Sequence, residues 1–447
     1  MNFTPVLRKK RAGSAVRDDE SLKPAYPTKT FEFSWNDSSD ERLFIVIHST
    51  ISRSLLVASV SLTGVAALPA RAEPEATRLI EVRPGLTYWS NATQRKELSE
   101  NAHLEGRCGG FLDLTDYPVE GPTPPAPSIS LAGREPTAQA KVLPLIAQAD
   151  TGNLLAIITK LSAYEDRNYQ TANGVASANW IKGEYERIAK GRADIHTAFF
   201  PHRFKQPSVI ATIDGTGEQK NEIVVIGGHI DSISPGKAPG ADDNASGTAT
   251  VLETFRILAE SGLRPNRTIQ FMGYAGEEEG LLGSQDVATA YRKEKRIVAG
   301  ALQFDMTMFP GATPKITFIT DYTNRDLTKY VQRLSDEYVK APWAEDRCGY
   351  ACSDHASWNK SGYASVFPFE SAFNSYNPDI HTPRDTMDKI DAGHGLHYLK
   401  LALAFAVELA EAGPVVTEAN PHSSRGSLWP GLGKRTIPIL DAATQRP

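Results

Sequence analysis

Between about residues 137 and 413, the chain alternates short apolar runs with longer segments whose apolar residues recur at helical spacing. The apolar runs, which predict buried strands, are 222–227, 268–274, 297–304 and 315–320. The helical segments are 245–260, 281–291, 327–339 and 398–409. Strands that alternate with helices form a mostly parallel sheet with helices on both faces. We therefore predict an α/β fold with three α/β/α layers and a mostly parallel, mixed sheet, preceded by a small separate segment.

A separate apolar segment near the N-terminus has the features of a secretory signal peptide. Arg53 precedes a mainly apolar stretch, 55–68, and Ala70-Arg71-Ala72 follows it as a small-residue cleavage pattern. A buried helix or a membrane anchor is the alternative, but the stretch is short for an anchor. We predict secretion to the extracellular space or the periplasm, with cleavage near Ala72.

The position of this signal peptide is unusual, because such a segment normally starts within a few residues of the first methionine. No methionine lies between Met1 and the apolar stretch, and residues 1–45 are mostly polar, mixed in charge and without clear periodicity. Our hypothesis is that translation begins near Val46 from a non-Met codon. Residues 46–72 are then the signal peptide, and 1–45 are a doubtful extension.

Changes in composition divide the remaining chain into three parts. Residues 73–136 form a separate segment that ends in a Pro-rich linker, 121–136. The main domain is predicted at 137–413. The tail, 414–447, is rich in Pro, Ser and Gly and has no periodic pattern, so we expect it to be disordered.

The overall composition excludes several classes of protein. There are 48 Lys and Arg against 53 Asp and Glu, a net charge of −5, which argues against nucleic-acid binding through phosphate contacts. No apolar run reaches about 18 residues, so a polytopic membrane protein is excluded and no stable membrane association is expected. Three cysteines allow at most one internal disulfide and leave one thiol.

Side chains with metal-binding chemistry follow the predicted strands, where sheets of this kind place their sites. The residues are His229, Asp231, Asp243, Glu277, Glu278, Asp305 and His381. His, Asp and Glu bind zinc through nitrogen and oxygen. Each residue alone is more often a hydrogen-bonded turn residue, and a run such as Glu277–Glu279 is more often a solvated face. Their occurrence together, in order and mostly at strand ends, favours a metal site.

The segments that carry these residues resemble a known family. They read GGHIDS, PGADDNASG, GYAGEEEGLLGSQ, ALQFDMT, CGYACSDHASW and FNSYNPDIHTPRDTMD. In this order they are similar to the secreted bacterial leucyl aminopeptidases, a family of two-zinc exopeptidases, over about 137–413. The RCGG sequence around Cys108 resembles the pro-region of those enzymes, which implies that residues 73–136 are a pro-region with its Pro-rich linker.

The resemblance implies a ligand set for two Zn²⁺ per chain. Asp243 would bridge the ions, and the adjacent Asp242 would not be a ligand. The other ligands would be His229 and Asp305 for one ion, and Glu278 and His381 for the other. Two Zn²⁺, three carboxylates and a bridging hydroxide have no net charge, as a partly buried site requires. The same ligands would also accept cobalt or manganese.

Three further residues receive roles from the resemblance. Asp231 would hold the imidazole of His229, as ligand histidines usually require. Glu277 would be the general base that takes the proton of the bridging water. A turn flanked by Gly276 and Gly280 would let Glu277 and Glu278 converge. Tyr350 would help to stabilise the tetrahedral oxyanion.

The resemblance also places an apolar pocket around the side chain of the substrate's N-terminal residue. Its residues would be Met306, Ile319, Phe369, Phe373, Tyr376 and Ile380, all of which would serve equally well in a buried core. Such a pocket favours Leu, Ile, Met or Phe. It discriminates weakly among them, because one methylene is worth only about 1–3 kcal/mol.

The three cysteines have different expected roles. As in the family, Cys348 and Cys352 would form a local disulfide; half of a metal site is the alternative in a reduced protein. Cys108 is then unpaired. It is either a buried thiol in a folding segment or a latency device, in which its thiolate displaces the water on a zinc ion.

Together these interpretations predict a secreted zinc aminopeptidase. It would hydrolyse hydrophobic N-terminal residues from peptides with a free N-terminus, by means of a metal-bridged hydroxide and a Glu base. Nucleic acid is not an expected partner, and the working expectation is a monomer. Three alternatives stay open: a glutaminyl cyclase on the same fold, a catalytically silent binding domain, and a related carboxypeptidase or dipeptidase.

Overall fold

A computed structural model of the chain describes residues 77–105, 107, 110–117, 126, 129–313 and 315–413. The predicted signal peptide, the extension before it, the thiol of Cys108, most of the Pro-rich linker and the C-terminal tail lie outside the described residues.

The main domain is built on an eight-stranded mixed sheet. Its strands are β4 (Ile195–Phe200), β5 (Ser208–Ile213), β6 (Glu222–His229), β7 (Thr268–Tyr274), β8 (Ile297–Gln303), β9 (Ile316–Ile319), β10 (Trp343–Asp346) and β11 (Ser365–Phe369). They lie in the order β10-β9-β11-β8-β6-β7-β5-β4. The central strand β6 is parallel to both β7 and β8, whereas β5 runs antiparallel to β7 and β4 antiparallel to β5. The central strands β6, β7 and β8 are buried and mostly apolar, as is typical of parallel strands that are covered on both faces.

Helices flank this sheet and complete the predicted three-layer α/β/α fold. In this domain they are α2 (Gln139–Ile146), α3 (Thr151–Ser162), α4 (Ala172–Ile188), α5 (Ala245–Glu260), α6 (Leu282–Lys293), α7 (Arg325–Leu334), α8 (His355–Lys360) and α9 (Ala392–Ala410). Several of these helices begin with a residue whose side chain caps the helix N-terminus. The Asn244 side chain accepts the Gly247 N–H at the start of α5, and Asp391 accepts the His394 N–H at the start of α9.

The structure has all eight elements that the periodicity predicts. Helix α5 has the predicted bounds, and α9 begins six residues earlier than the predicted 398. The predicted helix 327–339 is an α-helix up to Leu334 and a π-helical turn over Ser335–Val339. The helices and strands of the main domain that were not identified from the sequence are α2, α3, α4, α8, β4, β5, β10 and β11.

A small N-terminal segment, residues 77–117, packs on the main domain. It contains β1 (Arg78–Arg83), β2 (Leu86–Ser90), α1 (Ala92–Leu104) and β3 (Leu112–Asp113), and its three strands form an antiparallel sheet in the order β2-β1-β3. Leu112 and Leu114 of this segment are buried in one hydrophobic cluster with residues of the main domain, namely Leu281, Ala351 and Ala356. This segment is what the sequence analysis interprets as the pro-region.

The end of the predicted linker belongs to the main domain instead. Ile129 and Leu131 are buried in the principal hydrophobic core, and Arg333 donates hydrogen bonds to the carbonyls of Leu131 and Arg134. Burial of two large aliphatic side chains outweighs the local Pro-rich composition. The described part of this stretch, from 129 onward, is thus packed structure and not a flexible linker.

The sheet brings the ends of β6, β7 and β8 to one edge, and the chemistry lies there. Strand β6 ends at His229, β7 leads into Glu277 and Glu278, and β8 leads into Asp305. Among the described helices, no single one is long and apolar enough to cross a membrane; the bent pair α2–α3 passes by length and composition alone.

Candidate metal centre

One group of potential ligands forms around His229 at the end of β6. Its Nε2 lies 3.1 Å from Asp243 Oδ1 and 3.2 Å from Asp305 Oδ1. All three side chains are buried. Asp243 is held at the start of α5, where a cis peptide bond joins it to Asn244.

A second group shares Asp243 with the first. His381 Nε2 lies 2.9 Å from Asp243 Oδ2 and 3.0 Å from Glu278 Oε2. The two oxygens of Asp243 thus face two different histidines. His381 reaches this position with a φ of 54°, in the left-handed region that non-glycine residues seldom adopt. The structure therefore brings together all five side chains that the sequence analysis assigns to two metal ions.

The geometry and the chemistry of this donor set fit zinc. Two ligands held 2.0–2.1 Å from a tetrahedral zinc are about 3.3 Å apart, close to the separations of 2.9 to 3.2 Å between each histidine nitrogen and its carboxylate oxygens. Glu277 is almost completely buried, and its carboxylate oxygens have no hydrogen-bond partner among the residues that the structure describes. Buried carboxylates normally have a partner, so these orphaned oxygens suit a cation.

The electrostatic environment also favours a cation between these side chains. Burial raises the pKa of Glu278 to about 7 and that of Glu277 well above its usual value. Burial alone would lower the pKa of His381, but the carboxylates of Glu278 and Asp243 raise it to about 10. Burial would raise the pKa of Asp243, yet its bonds to His229 and His381 hold it below its usual value. The site therefore attracts positive charge.

Asp231 joins the end of β6 to the turn that carries the two glutamates. One of its oxygens lies 3.4 Å from His229 Nδ1, and its carboxylate accepts the backbone N–H groups of Glu277 and Glu278 at 3.1 and 3.3 Å. The turn itself is closed by the Glu277 carbonyl, which accepts the N–H of Gly280. Gly276 and Gly280 have φ values of 68° and 103°, so the expected turn between two glycines is present.

Several supporting residues were not identified from the sequence. The Ser353 hydroxyl donates to Asp305 Oδ2 at 2.7 Å. Asp385 accepts the N–H of Asp243 at 3.0 Å and an N–H from Asn377 Nδ2 at 3.0 Å, which ties the loop of His381 to the loop of Asp243. These residues stand in the segments that resemble the family, but the pattern of hydrophobic and polar positions gives no indication of their contacts.

The neighbouring Asp242 points away from the ligand group. Its carboxylate accepts the backbone N–H of Met308 and a side-chain N–H of Asn377. Burial raises its pKa to about 7, and the Glu370 carboxyl bonded to it lowers that pKa in part. Asp242 is therefore part of a buried hydrogen-bond network, as expected of a residue that is not a ligand.

An apolar pocket opens beside Asp305. Its apolar and aromatic walls are Met306, Tyr350, Cys352, Phe367, Phe369, Phe373, Tyr376 and Ile380. Ile319, which the sequence analysis placed in the wall, lies behind it and pairs with Phe367 across β9 and β11. Phe367 was not identified from the sequence, although the apolar run 365–369 was a usable signal.

The rim of this pocket is shaped by a disulfide between Cys348 and Cys352. The bond closes the short loop that carries Tyr350, whose ring is almost fully buried in the pocket wall. The guanidinium of Arg107, from the N-terminal segment, lies 5.4 Å from the centroid of that ring.

A second arrangement away from this centre has the layout of a hydrolase triad. His202 lies 2.7 Å from both Asp286 Oδ2, through Nδ1, and Ser208 Oγ, through Nε2. However, Ser208 is only 1% exposed and its Oγ accepts the N–H of Ala275. The serine thus holds the end of β7 and is not accessible as a nucleophile.

A family model and individual relatives of known type agree in what this chain resembles. Residues 208–406 match the model of peptidase family M28. A probable leucine aminopeptidase of Arthroderma otae is 39% identical over 342 residues, which cover 75% of this chain and 92% of that protein. Leucine aminopeptidase 1 of Fusarium vanettenii is 38% identical over 356 residues, which cover 75% and 88%.

Solved structures agree with these relatives. The LapA aminopeptidase of Legionella pneumophila superposes with a TM-score of 0.67 and 30% identity, covering 75% of this chain and 99% of that one. LapB from the same organism gives 0.66 and 30%, covering 75% and 95%. The similarity therefore extends over nearly the whole of these proteins.

Proposed function

The chain belongs to peptidase family M28, and from this premise we propose that it is a secreted zinc aminopeptidase that removes hydrophobic N-terminal residues from peptides. One observation carries the proposal: two buried His–carboxylate groups share Asp243, with Glu277 and an apolar pocket beside them. The names of the relatives support aminopeptidase activity, and the substrate preference is argued from the pocket.

Five side chains would hold two zinc ions. His229 and Asp305 would hold one, Glu278 and His381 the other, and Asp243 both. Zinc at this position would lower the pKa of a water and polarise the scissile carbonyl of the substrate.

Glu277 is the side chain that moves the proton. Its backbone N–H is held by Asp231, and neither of its buried carboxylate oxygens has a hydrogen-bond partner within the described part of the chain. Burial raises its pKa well above that of an ordinary glutamate, which favours a group that takes a proton from water and returns it to the leaving amine. Tyr350, which lines the same pocket as Asp305, would help to stabilise the oxyanion.

The surroundings of the site account for the exopeptidase specificity. The substrate's charged α-amine is attracted to the carboxylates of the centre, while its side chain enters the apolar pocket beside Asp305. Burying an apolar side chain there contributes about 1.5–3 kcal/mol, so hydrophobic N-terminal residues are preferred. Secretion is supported by the disulfide, because such bonds persist in oxidising compartments.

The activity is tested with full-length chain loaded with zinc. We expect hydrolysis of leucine p-nitroanilide that a chelator abolishes and zinc restores, and no hydrolysis of the N-acetylated substrate, because acetylation removes the charged amine. Cleavage of a C-amidated peptide from its N-terminus would exclude a carboxypeptidase. Cyclisation of a glutaminyl peptide without hydrolysis of leucine p-nitroanilide would favour the cyclase instead.

We further propose that the N-terminal segment restricts this activity until it is removed. It packs on both loops that frame the site. Phe111 contacts Gly280, beside the glutamates, and Arg107 lies over the Tyr350 ring in the disulfide loop. Cys108 stands between Arg107 and Phe111 in the sequence but lies outside the described residues, and its role as a latency thiol stays part of the proposal.

Cleavage of the folded chain should therefore raise its activity. With a specific protease site placed in the stretch 118–125 and cut after folding, we expect kcat/KM for leucine p-nitroanilide to rise by about tenfold or more, because substrate access improves by at least about 1.4 kcal/mol. The same protein without the site, treated with the same protease, is the control. Unchanged activity after complete release of the segment would show that the segment has no inhibitory role, and Cys108→Ser in the uncut chain tests the thiol separately.

A further inference from the structure

We infer that Arg167 is a positioning residue of the metal centre: it fixes the segment of His229 relative to the segment of Asp243 and supplies the positive charge that the centre's surrounding carboxylates require. The inference rests on the proposed function, since it concerns the binding of zinc by these ligands.

The guanidinium of Arg167 is fully buried and binds only main-chain carbonyls. Arg167 is 0% exposed and is among the largest fully buried side chains of the described chain. Its nitrogens donate to the carbonyls of Leu161, Ile230, Pro239 and Gly240. These acceptors belong to three separate segments. Because the guanidinium is planar and rigid, its hydrogen bonds hold the three segments at fixed distances from one another.

Two of the three segments carry the metal ligands. Ile230 directly follows His229 and precedes Asp231, and its carbonyl lies 3.1 Å from Arg167 Nε. Gly240 stands three residues before Asp243, and its carbonyl lies 2.9 Å from Arg167 Nη2. The arginine therefore bridges, through main-chain atoms, the two segments whose side chains must converge on the same ion.

The packing around Gly240 shows how closely this bridge fits. Gly240 has a φ of 49°, and a Cβ there would lie 2.8 Å from Arg167 Nη2 and 2.3 Å from the Asp243 carbonyl oxygen. Contacts below 3.0 Å require a shift of one partner. The guanidinium, the glycine and the loop of Asp243 are thus in mutual contact, and a change in one is transmitted to the others.

The charge of Arg167 has no direct ion-pair partner among the residues that the structure describes, and it is balanced by the centre itself. Burial lowers its pKa to about 10, and the carboxylates that oppose this effect are Asp385, Asp231, Asp243 and Glu278. Asp231 contacts His229 without being a ligand. Its negative charge therefore comes in addition to the three ligand carboxylates and the hydroxide that two zinc ions would balance. A buried charge without compensation is costly, so Arg167 and Asp231 stabilise each other across the centre.

Lysine cannot replace this arginine. It keeps the charge, but its compact ammonium has three donors at one point and cannot reach carbonyls on three segments. The segments of His229 and Asp243 would then lose their common anchor. Loss of a supporting partner around a metal site typically weakens metal binding or activity by about 10–100-fold.

Arg267 provides a matched control. Its guanidinium is likewise buried and donates to the carbonyls of Leu409, Ala412 and Gly413, but it pairs with Glu222 at the opposite end of β6 from His229. Arg267→Lys therefore makes the same chemical change in a similar setting that touches no metal-binding segment.

The test compares Arg167→Lys and Arg267→Lys in the full-length chain, with zinc affinity measured by competition against a chromophoric chelator. We expect Arg167→Lys to weaken zinc binding by about tenfold or more and to lower kcat with little change in KM. Arg267→Lys should lower the melting temperature and leave both quantities within about twofold of wild type. Wild-type zinc affinity in Arg167→Lys, or equal weakening in both variants, would overturn the inference.

A milder variant covers the case in which Arg167→Lys does not fold. The Ser232 hydroxyl accepts the backbone N–H of Arg167 and donates to the Ala238 carbonyl. Ser232→Ala removes both hydrogen bonds and so weakens the hold on the main chain of Arg167. It should weaken zinc binding in the same direction, and unchanged affinity would overturn the inference. If wild-type protein itself binds no zinc, the proposed function fails as well; if it binds zinc and only the variants behave as wild type, the inference alone fails.

Discussion

Glu277→Gln should lower kcat on leucine p-nitroanilide by about 10²–10⁴-fold, the usual contribution of a general acid–base group, while zinc binding stays intact. Glutamine has nearly the same shape and keeps the backbone N–H that donates to Asp231. It cannot take a proton from water or return one to the leaving amine. Because Glu277 is not in either group of potential ligands, its replacement should leave the metal in place. Steady-state kinetics together with metal analysis of the purified variant measure both expectations.

The adjacent Glu279 is the matched control for this experiment. It belongs to the same run of three glutamates, and burial raises its pKa to about 7, but it is in neither group of potential ligands. Glu279→Gln should retain kcat within a few-fold of wild type. Equal losses in both variants would assign the effect to the charge of the whole run, and near-wild-type activity in Glu277→Gln would remove Glu277 from its proposed role.

Asp243→Asn should abolish zinc binding at both positions and with it the activity, by roughly 10³-fold or more, since metal polarisation contributes several kcal/mol. Its two carboxylate oxygens face His229 and His381, so one substitution disturbs both groups. Asparagine removes one oxygen and the negative charge. Bound zinc, measured per chain after removal of free metal, should fall below one equivalent.

Stability gives an independent measure of the same change. A metal that binds only the folded state at 1,000 times its Kd stabilises it by about 4 kcal/mol. Excess zinc should therefore raise the melting temperature of wild type and not that of Asp243→Asn. Asp242→Asn is the control, because Asp242 contacts Met308 and Asn377 instead of the histidines. Zinc-dependent stabilisation that survives in Asp243→Asn would contradict the assignment of this residue as the shared ligand.

The strand ends explain why so much of the centre can be predicted from the sequence. Strands β6, β7 and β8 are almost wholly apolar, so their bounds are visible in the pattern, and the polar residues that follow them stand out. Parallel neighbours necessarily place these residues at one edge. The missed elements have weaker patterns. Helix α4 contains many small and polar residues, and β11 is short and contains Pro368.

The sequence alone determined the fold class, the edge of the sheet at which the chemistry lies, and the types of side chain that meet there. These follow from local hydrophobic patterns and from the fixed geometry of parallel strands. The resemblance of the motifs added the roles of individual residues, including the choice of Asp243 over Asp242.

Only the tertiary structure decided the contacts between segments that are distant in the chain. Examples are the left-handed backbone of His381, the position of Phe367 in the pocket wall with Ile319 behind it, and the bridge that Arg167 forms between Ile230 and Gly240. The acceptors of Arg167 are main-chain carbonyls, which every residue possesses and no sequence pattern marks. Their positions depend on how the whole chain packs, and local sequence does not specify that packing.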